Sequence, residues 1–134
     1  MTIEKYLQHR APVQANDQII WSFINLVEQY YIQHKSIKFY TDQLNISPRK
    51  LNDIIENYFG LSPSKIIHKF LEIEIKKELT TTDKPLKELC YSFGFNKPST
   101  FTKYVKNITG VTPSRYRALN AVLPTTKHKT KILF

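Results

Sequence analysis

The chain has 134 residues, of which 41% are hydrophobic, and a formal net charge of +9 at pH 7. This composition allows one small domain with a buried core, argues against disorder throughout, and suggests a polyanionic partner, either nucleic acid or an anionic membrane surface. No apolar run can cross a bilayer, no signal peptide is present, and the single cysteine, Cys90, excludes an intrachain disulfide or thiolate cluster, so we expect an intracellular protein.

The first predicted elements are helices. From Asp17 to about Lys35, apolar residues recur at three- and four-residue steps, which is typical of an amphipathic helix. A short helix is predicted from about Phe39 to Asn45. Ser47 followed by proline then signals the start of a third helix, which runs to Phe59 and stops at a glycine.

A long helix is predicted next. Ser62 and the proline after it restart a helix at once, and we take this helix to run to about Leu79. Seventeen residues at about 1.5 Å each would span roughly 26 Å. The stretch "TTTDKP" then breaks the chain, with Asp83 as the expected cap of the following helix.

The third helix and its flanks occur twice. The phrase "GLSPSKI" near the middle returns as "GVTPSRY" 50 residues later, and this shift aligns "SPRKLNDIIENYFGLSPS" with "KPSTFTKYVKNITGVTPS". A short helix precedes each copy, in "YTDQLNIS" and in "LCYSFGFNK". A short helix, a tight turn and a second helix with one polar face form a helix-turn-helix. The sequence therefore predicts an all-α fold of about seven helices with two helix-turn-helix units, in residues 17–62 and 81–120.

These residues also carry a family resemblance. The second unit, "KELCYSFGFNKPSTF", and the ending "GVTPSRYR", close to the signature "GxTPxxYR", resemble the DNA-binding domain of AraC/XylS-type bacterial transcription regulators over about 17–119. The resemblance implies that the two units are lobes joined by a connecting helix at 63–80, and that their recognition helices bind successive major grooves of promoter DNA in the bacterial cytoplasm, at the nucleoid. It also implies RNA polymerase, and an effector-binding or dimerisation domain of a longer chain, as candidate partners.

Candidate DNA contacts follow from the exposed faces of the two recognition helices. On the first we expect Arg49, Lys50, Asn52 and Asp53, because arginine can pair with guanine, asparagine with adenine, and aspartate with cytosine. The alternatives to a direct base contact by Asp53 are that it orients a neighbouring base or forms an ion pair with Arg49.

The second recognition helix has only polar and basic residues on its exposed face, so it should supply much of the attraction to phosphates. Its candidate contacts are Ser99, Thr102, Lys103 and Lys106, with Arg115 on the last helix. Arg117 either contacts the DNA backbone as well or stabilises its lobe.

Other functions are less well supported. The four histidines lack metal-ligand spacing and no glycine-rich phosphate loop is present, so we expect neither an enzyme nor a cofactor. Cys90 is expected inside a lobe, which argues against a methyl-accepting repair protein. A helical protein-interaction or adaptor module stays the main alternative. Residues 1–16 are interpreted as a linker or the remnant of an upstream domain, and 121–134 as a flexible basic tail, whose binding to anionic membranes is a weaker option.

Overall fold

The computed structural model describes residues 16–122, and within them the chain forms seven α-helices and no β-strand. The helices are α1 (Asp17–Tyr30), α2 (Ile37–Leu44), α3 (Pro48–Phe59), α4 (Pro63–Thr81), α5 (Leu86–Ser92), α6 (Pro98–Thr109) and α7 (Pro113–Asn120). The predicted all-α architecture of about seven helices is confirmed. The predicted N-terminal linker and basic tail lie almost entirely outside the described residues.

The repeated phrase acts as the stop and restart signal that its residues predict. Gly60 and Gly110 end α3 and α6 in the left-handed conformation, with φ of 75° and 89°. Such a backbone is strained for residues with a side chain. Two residues later, Ser62 and Thr112 cap α4 and α7 by accepting a hydrogen bond from a backbone N–H of the new helix.

Two local predictions are wrong. Helix α1 ends at Tyr30 rather than near Lys35, because the next residues turn towards the second half of the molecule, where Tyr31 and Ile32 are half-buried. Asp83 does not cap α5, since that helix begins at Leu86 with Pro85 in the capping position and without a side-chain cap.

Helix α4 belongs to two hydrophobic cores. Its first half contributes Ile66, Ile67 and Phe70 to a core shared with α1, α2 and α3. Its second half contributes Leu71, Ile75 and Leu79 to a core shared with α5 and α6. The connecting helix is therefore a structural part of both lobes, and we call them the first lobe and the second lobe.

Each recognition helix fully buries only part of the apolar face that its spacing indicates, and Tyr58, Tyr104 and Ile108 on those faces are half-buried. On α3 the buried residues are Leu51, Ile54 and Ile55, and on α6 they are Phe101 and Val105. Thr41 and Cys90, at equivalent places in the first helix of each helix-turn-helix, are both buried. Within residues 16–122, no helix is both long enough and apolar enough to cross a membrane.

Candidate nucleic-acid interface

The first recognition helix, α3, presents a mixed-charge surface opposite its buried face. Arg49, Lys50 and Asp53 are exposed, while Asn52 is half-buried. Arg49 and Asp53 form no ion pair with each other, as the ion pairs found within residues 16–122 involve other side chains. The alternative role of Asp53, pairing with Arg49, is therefore wrong in this structure.

Asn52 is held by its neighbour one turn along α3. Its Nδ2 donates a hydrogen bond to Oε1 of Glu56 at 3.0 Å. An asparagine that reads adenine needs one N–H and its carbonyl oxygen. The contact with Glu56 occupies only one of the two N–H groups, so Asn52 retains both groups that this base contact requires.

The second recognition helix, α6, exposes a basic and polar surface. Ser99, Lys103 and Lys106 are exposed and Thr102 is half-buried. The start of this helix also differs from that of α3. Ser47 accepts a hydrogen bond from the N–H of Lys50 in α3, whereas the equivalent position before α6 is Lys97, which provides no side-chain cap. The N–H groups in the first turn of α6 thus lack a side-chain acceptor.

Arg115 and Arg117 lie on α7 but have different surroundings. Arg115 is exposed. Arg117 is half-buried, and its Nε donates to the carbonyl of Leu79 at 3.0 Å while Nη1 donates to the carbonyl of Lys84 at 2.8 Å. Burial lowers the pKa of Arg117, and the nearby carboxylates of Asp83 and Glu78 act in the opposite direction. Of the two roles considered for Arg117, the structure shows the stabilising one, in which it satisfies a carbonyl at the end of α4.

A groove in the second lobe brings together residues that sequence spacing alone did not group. It has a volume of about 440 Å³ and is lined mainly by α5 and the first turns of α6 and α7. Its polar side chains include Lys87, Thr102 and Ser114. Of these, only Thr102 is a predicted contact. The repeat gives no signal for Lys87, because its counterpart in the first short helix, Lys38, is not a candidate contact and pairs with Asp42.

The turns inside the two helix-turn-helix units have the same hydrogen-bond pattern. In the first, Asn45 has φ of 60° and Ile46 donates its N–H to the carbonyl of Thr41. In the second, Gly94 has φ of 85° and Phe95 donates to the carbonyl of Cys90. Both are Schellman-type helix ends. The turn that sets the orientation of each recognition helix is therefore repeated along with the helices themselves.

Cys90 and His68, two side chains that could take part in chemistry, are engaged in packing or in contacts between helices. Cys90 is fully buried, and burial raises the pKa of its thiol, which disfavours the nucleophilic thiolate. Nδ1 of His68 lies 3.3 Å from the hydroxyl of Tyr104 and links α4 to α6. Among residues 16–122, no three His, Cys, Asp or Glu side chains are grouped to hold a metal ion.

Comparison with known proteins identifies the domain that these two units form. A protein family described as a helix-turn-helix domain matches residues 40–119, more than half of the chain. The chain belongs to this AraC-type helix-turn-helix family. It is accordingly a DNA-binding domain of the kind that acts in transcription regulation.

Individual relatives are distant in sequence. The chain is 21% identical over 105 residues to the uncharacterized HTH-type transcriptional regulator YisR of Bacillus subtilis, covering 78% of this chain and 37% of that protein. It is 28% identical over 74 residues to the raffinose operon transcriptional regulatory protein RafR of Pediococcus pentosaceus, covering 55% of this chain and 27% of that protein. The chain thus spans about a third of the length of these curated relatives.

A solved structure supports the AraC-type fold. The C-terminal domain of the two-component response regulator yesN from Fusobacterium nucleatum has a TM-score of 0.66 and 22% identity, covering 77% of this chain and 99% of that one. This comparison shows that the two chains share a fold.

Proposed function

We propose that the chain binds double-stranded promoter DNA sequence-specifically, with α3 and α6 in successive major grooves. The observation that carries this proposal is the repetition of a complete helix-turn-helix, including its turn and helix end, on both sides of α4. At about 1.5 Å per residue, the 19 residues of α4 extend roughly 28 Å. With the width of the lobes, this length suits two grooves about 34 Å apart.

The two recognition helices have different tasks in this proposal. Helix α3 reads base edges through Arg49, Asn52 and Asp53, with Lys50 beside them. Helix α6 contributes mainly phosphate contacts through Ser99, Thr102, Lys103 and Lys106. This division is supported by charge: Arg49 and Lys50 on α3 are balanced by Asp53 and Glu56, whereas α6 has two lysines and no acidic residue.

Two further phosphate contacts are proposed beside the groove of the second lobe. Lys87 and Ser114 line it together with Thr102, and Lys87 forms no ion pair within residues 16–122. Arg115 follows Ser114 on the exposed first turn of α7. A DNA strand passing the start of α6 would meet this set of side chains, which would fix the protein's position on the duplex without reading sequence.

We also propose the setting in which the domain works. Its share of the curated relatives' length supports a role as the DNA-binding part of a larger regulator, with an effector-binding or dimerisation domain and RNA polymerase as candidate partners. Such a protein would act in the bacterial cytoplasm, at the nucleoid. The proposal includes no catalytic step, and the buried Cys90 does not offer the accessible thiolate that a methyl-accepting repair reaction would need.

The test is selection of bound duplexes from a random DNA library with the 134-residue chain. We expect two enriched boxes with centres about 10–10.5 base pairs apart. Enrichment of a single box would contradict binding by both units. No enrichment at all would contradict sequence-specific binding.

Salt dependence provides the second measurement. If about six phosphates are neutralised, affinity for the selected site should fall by about 10³ between 50 and 200 mM salt. Absence of binding even at low salt would remove DNA as the partner and favour the protein-interaction alternative.

A further inference from the structure

The two lobes touch at a second place besides α4. The loop of residues 31–35, which we call the interlobe loop, leaves α1 and packs against the second lobe. Tyr31 and Ile32 both contact the second hydrophobic core, and the ring of Tyr31 also lies 6.1 Å from that of Phe70 on α4. The first lobe therefore contacts the second through this loop as well as through the shared helix.

The interlobe loop is firmly attached to the first lobe. The hydroxyl of Tyr40, whose side chain is fully buried, donates a hydrogen bond of 2.6 Å to the carbonyl of His34. The imidazole of His34 stacks on the ring of Phe39, with centroids 3.7 Å apart and planes within 3° of parallel. A force on this loop is thus transmitted to α2, the first helix of the first helix-turn-helix.

At its other end the interlobe loop contacts the turn between α5 and α6, which sets the orientation of α6. Nζ of Lys35 donates to the carbonyl of Ile32 at 2.9 Å and to the carbonyl of Phe93 at 3.4 Å, and it lies 5.5 Å from the centre of the Phe95 ring. Phe93 ends α5, where a cation is favoured by the exposed carbonyls of the helix terminus. Phe95 belongs to the turn between α5 and α6 and packs against Phe101 of α6.

Gly94 makes this close approach possible. A Cβ added at Gly94 would lie 3.2 Å from Nζ of Lys35 and 3.3 Å from the carbonyl oxygen of Ile32, which is tighter than ordinary van der Waals contact. The same turn in the first unit is made by Asn45, also with positive φ. The left-handed backbone alone therefore does not require glycine at this turn, and the contact with the interlobe loop adds the requirement at Gly94.

We propose that Lys35 and Gly94 are positioning residues that set the distance and rotation between the two recognition helices, and so make the spacing of the two DNA boxes a determinant of specificity. This inference rests on the proposed two-groove binding. A single connecting helix can bend and twist, whereas two bodies joined at two places resist both movements. One added base pair rotates the next box by about 35° and moves it by about 3.4 Å, a change that such a joint cannot follow.

The test measures affinity for three versions of the selected two-box site, with the natural spacer and with one base pair removed or added. For the unaltered chain we expect a loss of about tenfold or more on either spacer change, comparable to a mismatched base pair. Lys35→Met keeps the apolar stem but loses both hydrogen bonds, and Gly94→Asn keeps the turn but inserts a side chain into the contact. In each variant the loss should shrink to about threefold or less.

Two matched control variants test whether the spacing penalty changes merely because a charge is lost or because the turn residue is exchanged. Lys77→Met removes the same charge from an exposed position on α4, and Asn45→Gly makes the reverse exchange in the first turn. Both controls should keep the full spacing penalty, even if their affinity for the natural site changes.

Three results would overturn the inference. The first is a full spacing penalty in either folded variant, Lys35→Met or Gly94→Asn, with folding verified by circular dichroism. The second is an unaltered chain whose affinity ignores spacer length while both boxes are still required. The third is failure to bind any duplex, which would overturn the proposed function itself and is therefore distinguishable from the other two.

Discussion

Helices α3 and α6 begin and end at equivalent residues and share two buried positions, Leu51 with Phe101 and Ile55 with Val105. They differ in how their N-termini are capped and in what they expose. Both begin at a proline and end at a left-handed glycine. The first is capped by Ser47 and carries charges of both signs, whereas the second follows Lys97 and exposes only positive charge. The comparison teaches that the repeat preserves what the backbone and core require, and varies the surface proposed to meet DNA.

The helices that follow the recognition helices differ for another reason. The position two residues after Lys65 on α4 is Ile67, a buried core residue, and its counterpart on α7 is Arg117. Helix α4 continues into a second lobe and must fill two cores, whereas α7 packs at the far end of α4. Arg117 can therefore donate a hydrogen bond to the carbonyl of Leu79 in the last turn of α4, where carbonyls have no partner within the helix.

The largest expected effect tests whether the two lobes unfold independently. Phe101→Ala should lower the free energy of unfolding by about 3–5 kcal/mol, because it removes a fully buried ring from the second core. Since α4 belongs to both cores, the first lobe should be destabilised too. Trp21, the single tryptophan, lies on α1 and reports on the first lobe by fluorescence, while circular dichroism reports on all helices.

Both signals should have the same urea midpoint in Phe101→Ala. Leu51→Ala is the matched change in the first core and should cost about 2–5 kcal/mol, again with coincident midpoints. A fluorescence midpoint that stays unaltered in Phe101→Ala would show that the lobes unfold separately.

The difference between α4 and α7 is tested at Arg117. Arg117→Met should cost about 2 kcal/mol of unfolding free energy, because it removes two charge-assisted hydrogen bonds, a part-buried one to Leu79 and an exposed one to Lys84. Arg115→Met, an exposed change on the same helix, should stay within about 0.5 kcal/mol. Equal losses in the two variants, measured by urea unfolding, would contradict the stabilising role of Arg117.

The division of labour between the recognition helices is tested by one variant in each. Asn52→Ala should reduce discrimination at one base pair by about 1–3 kcal/mol. Lys103→Ala should weaken binding to all sequences alike and lower the salt slope by about 1. The measurement is affinity for every single-base variant of the selected site, at two salt concentrations. Unchanged relative affinities in Asn52→Ala would remove this residue from the base-reading set.

The smallest effect concerns the feature that the two units share most closely. Gly60→Ala and Gly110→Ala should each cost about 1 kcal/mol, because both positions have positive φ and neither has an atom within 4 Å of the added methyl group. The two losses in urea unfolding should therefore match. Losses that differ by more than about 1 kcal/mol would mean that the two helix ends are not equivalent.

Local signals account for much of what could be predicted from the sequence. The start of α4 at Ser62 and Pro63 and the end of α3 at Gly60 are set by capping chemistry within a few residues, and the structure has them as predicted. The predicted extension of α1 to Lys35 is wrong because the segment after Tyr30 is pulled away by contacts with the second lobe. Periodicity could not show those contacts.

For the candidate site, the sequence predicts which residues of the recognition helices are exposed, but not how they are grouped with residues of other helices. The spacing of apolar residues on α3 and α6 left Arg49, Asp53, Lys103 and Lys106 outward, and they are exposed. Their contacts with DNA stay predictions. The groove that adds Lys87 and Ser114 depends on how three helices pack, which one-dimensional spacing does not specify.

The sequence by itself determined the helix-turn-helix repeat, the glycines that end both recognition helices and the caps of the helices that follow them, because these depend on interactions between near neighbours and on helical periodicity. Only the tertiary structure decided how the two units are held together. The hydrogen bond from Lys35 to Phe93 joins residues 58 positions apart, and Gly94 is needed where another part of the chain passes beside it. Such contacts arise when separately patterned helices pack, and they leave no periodic signal in either segment.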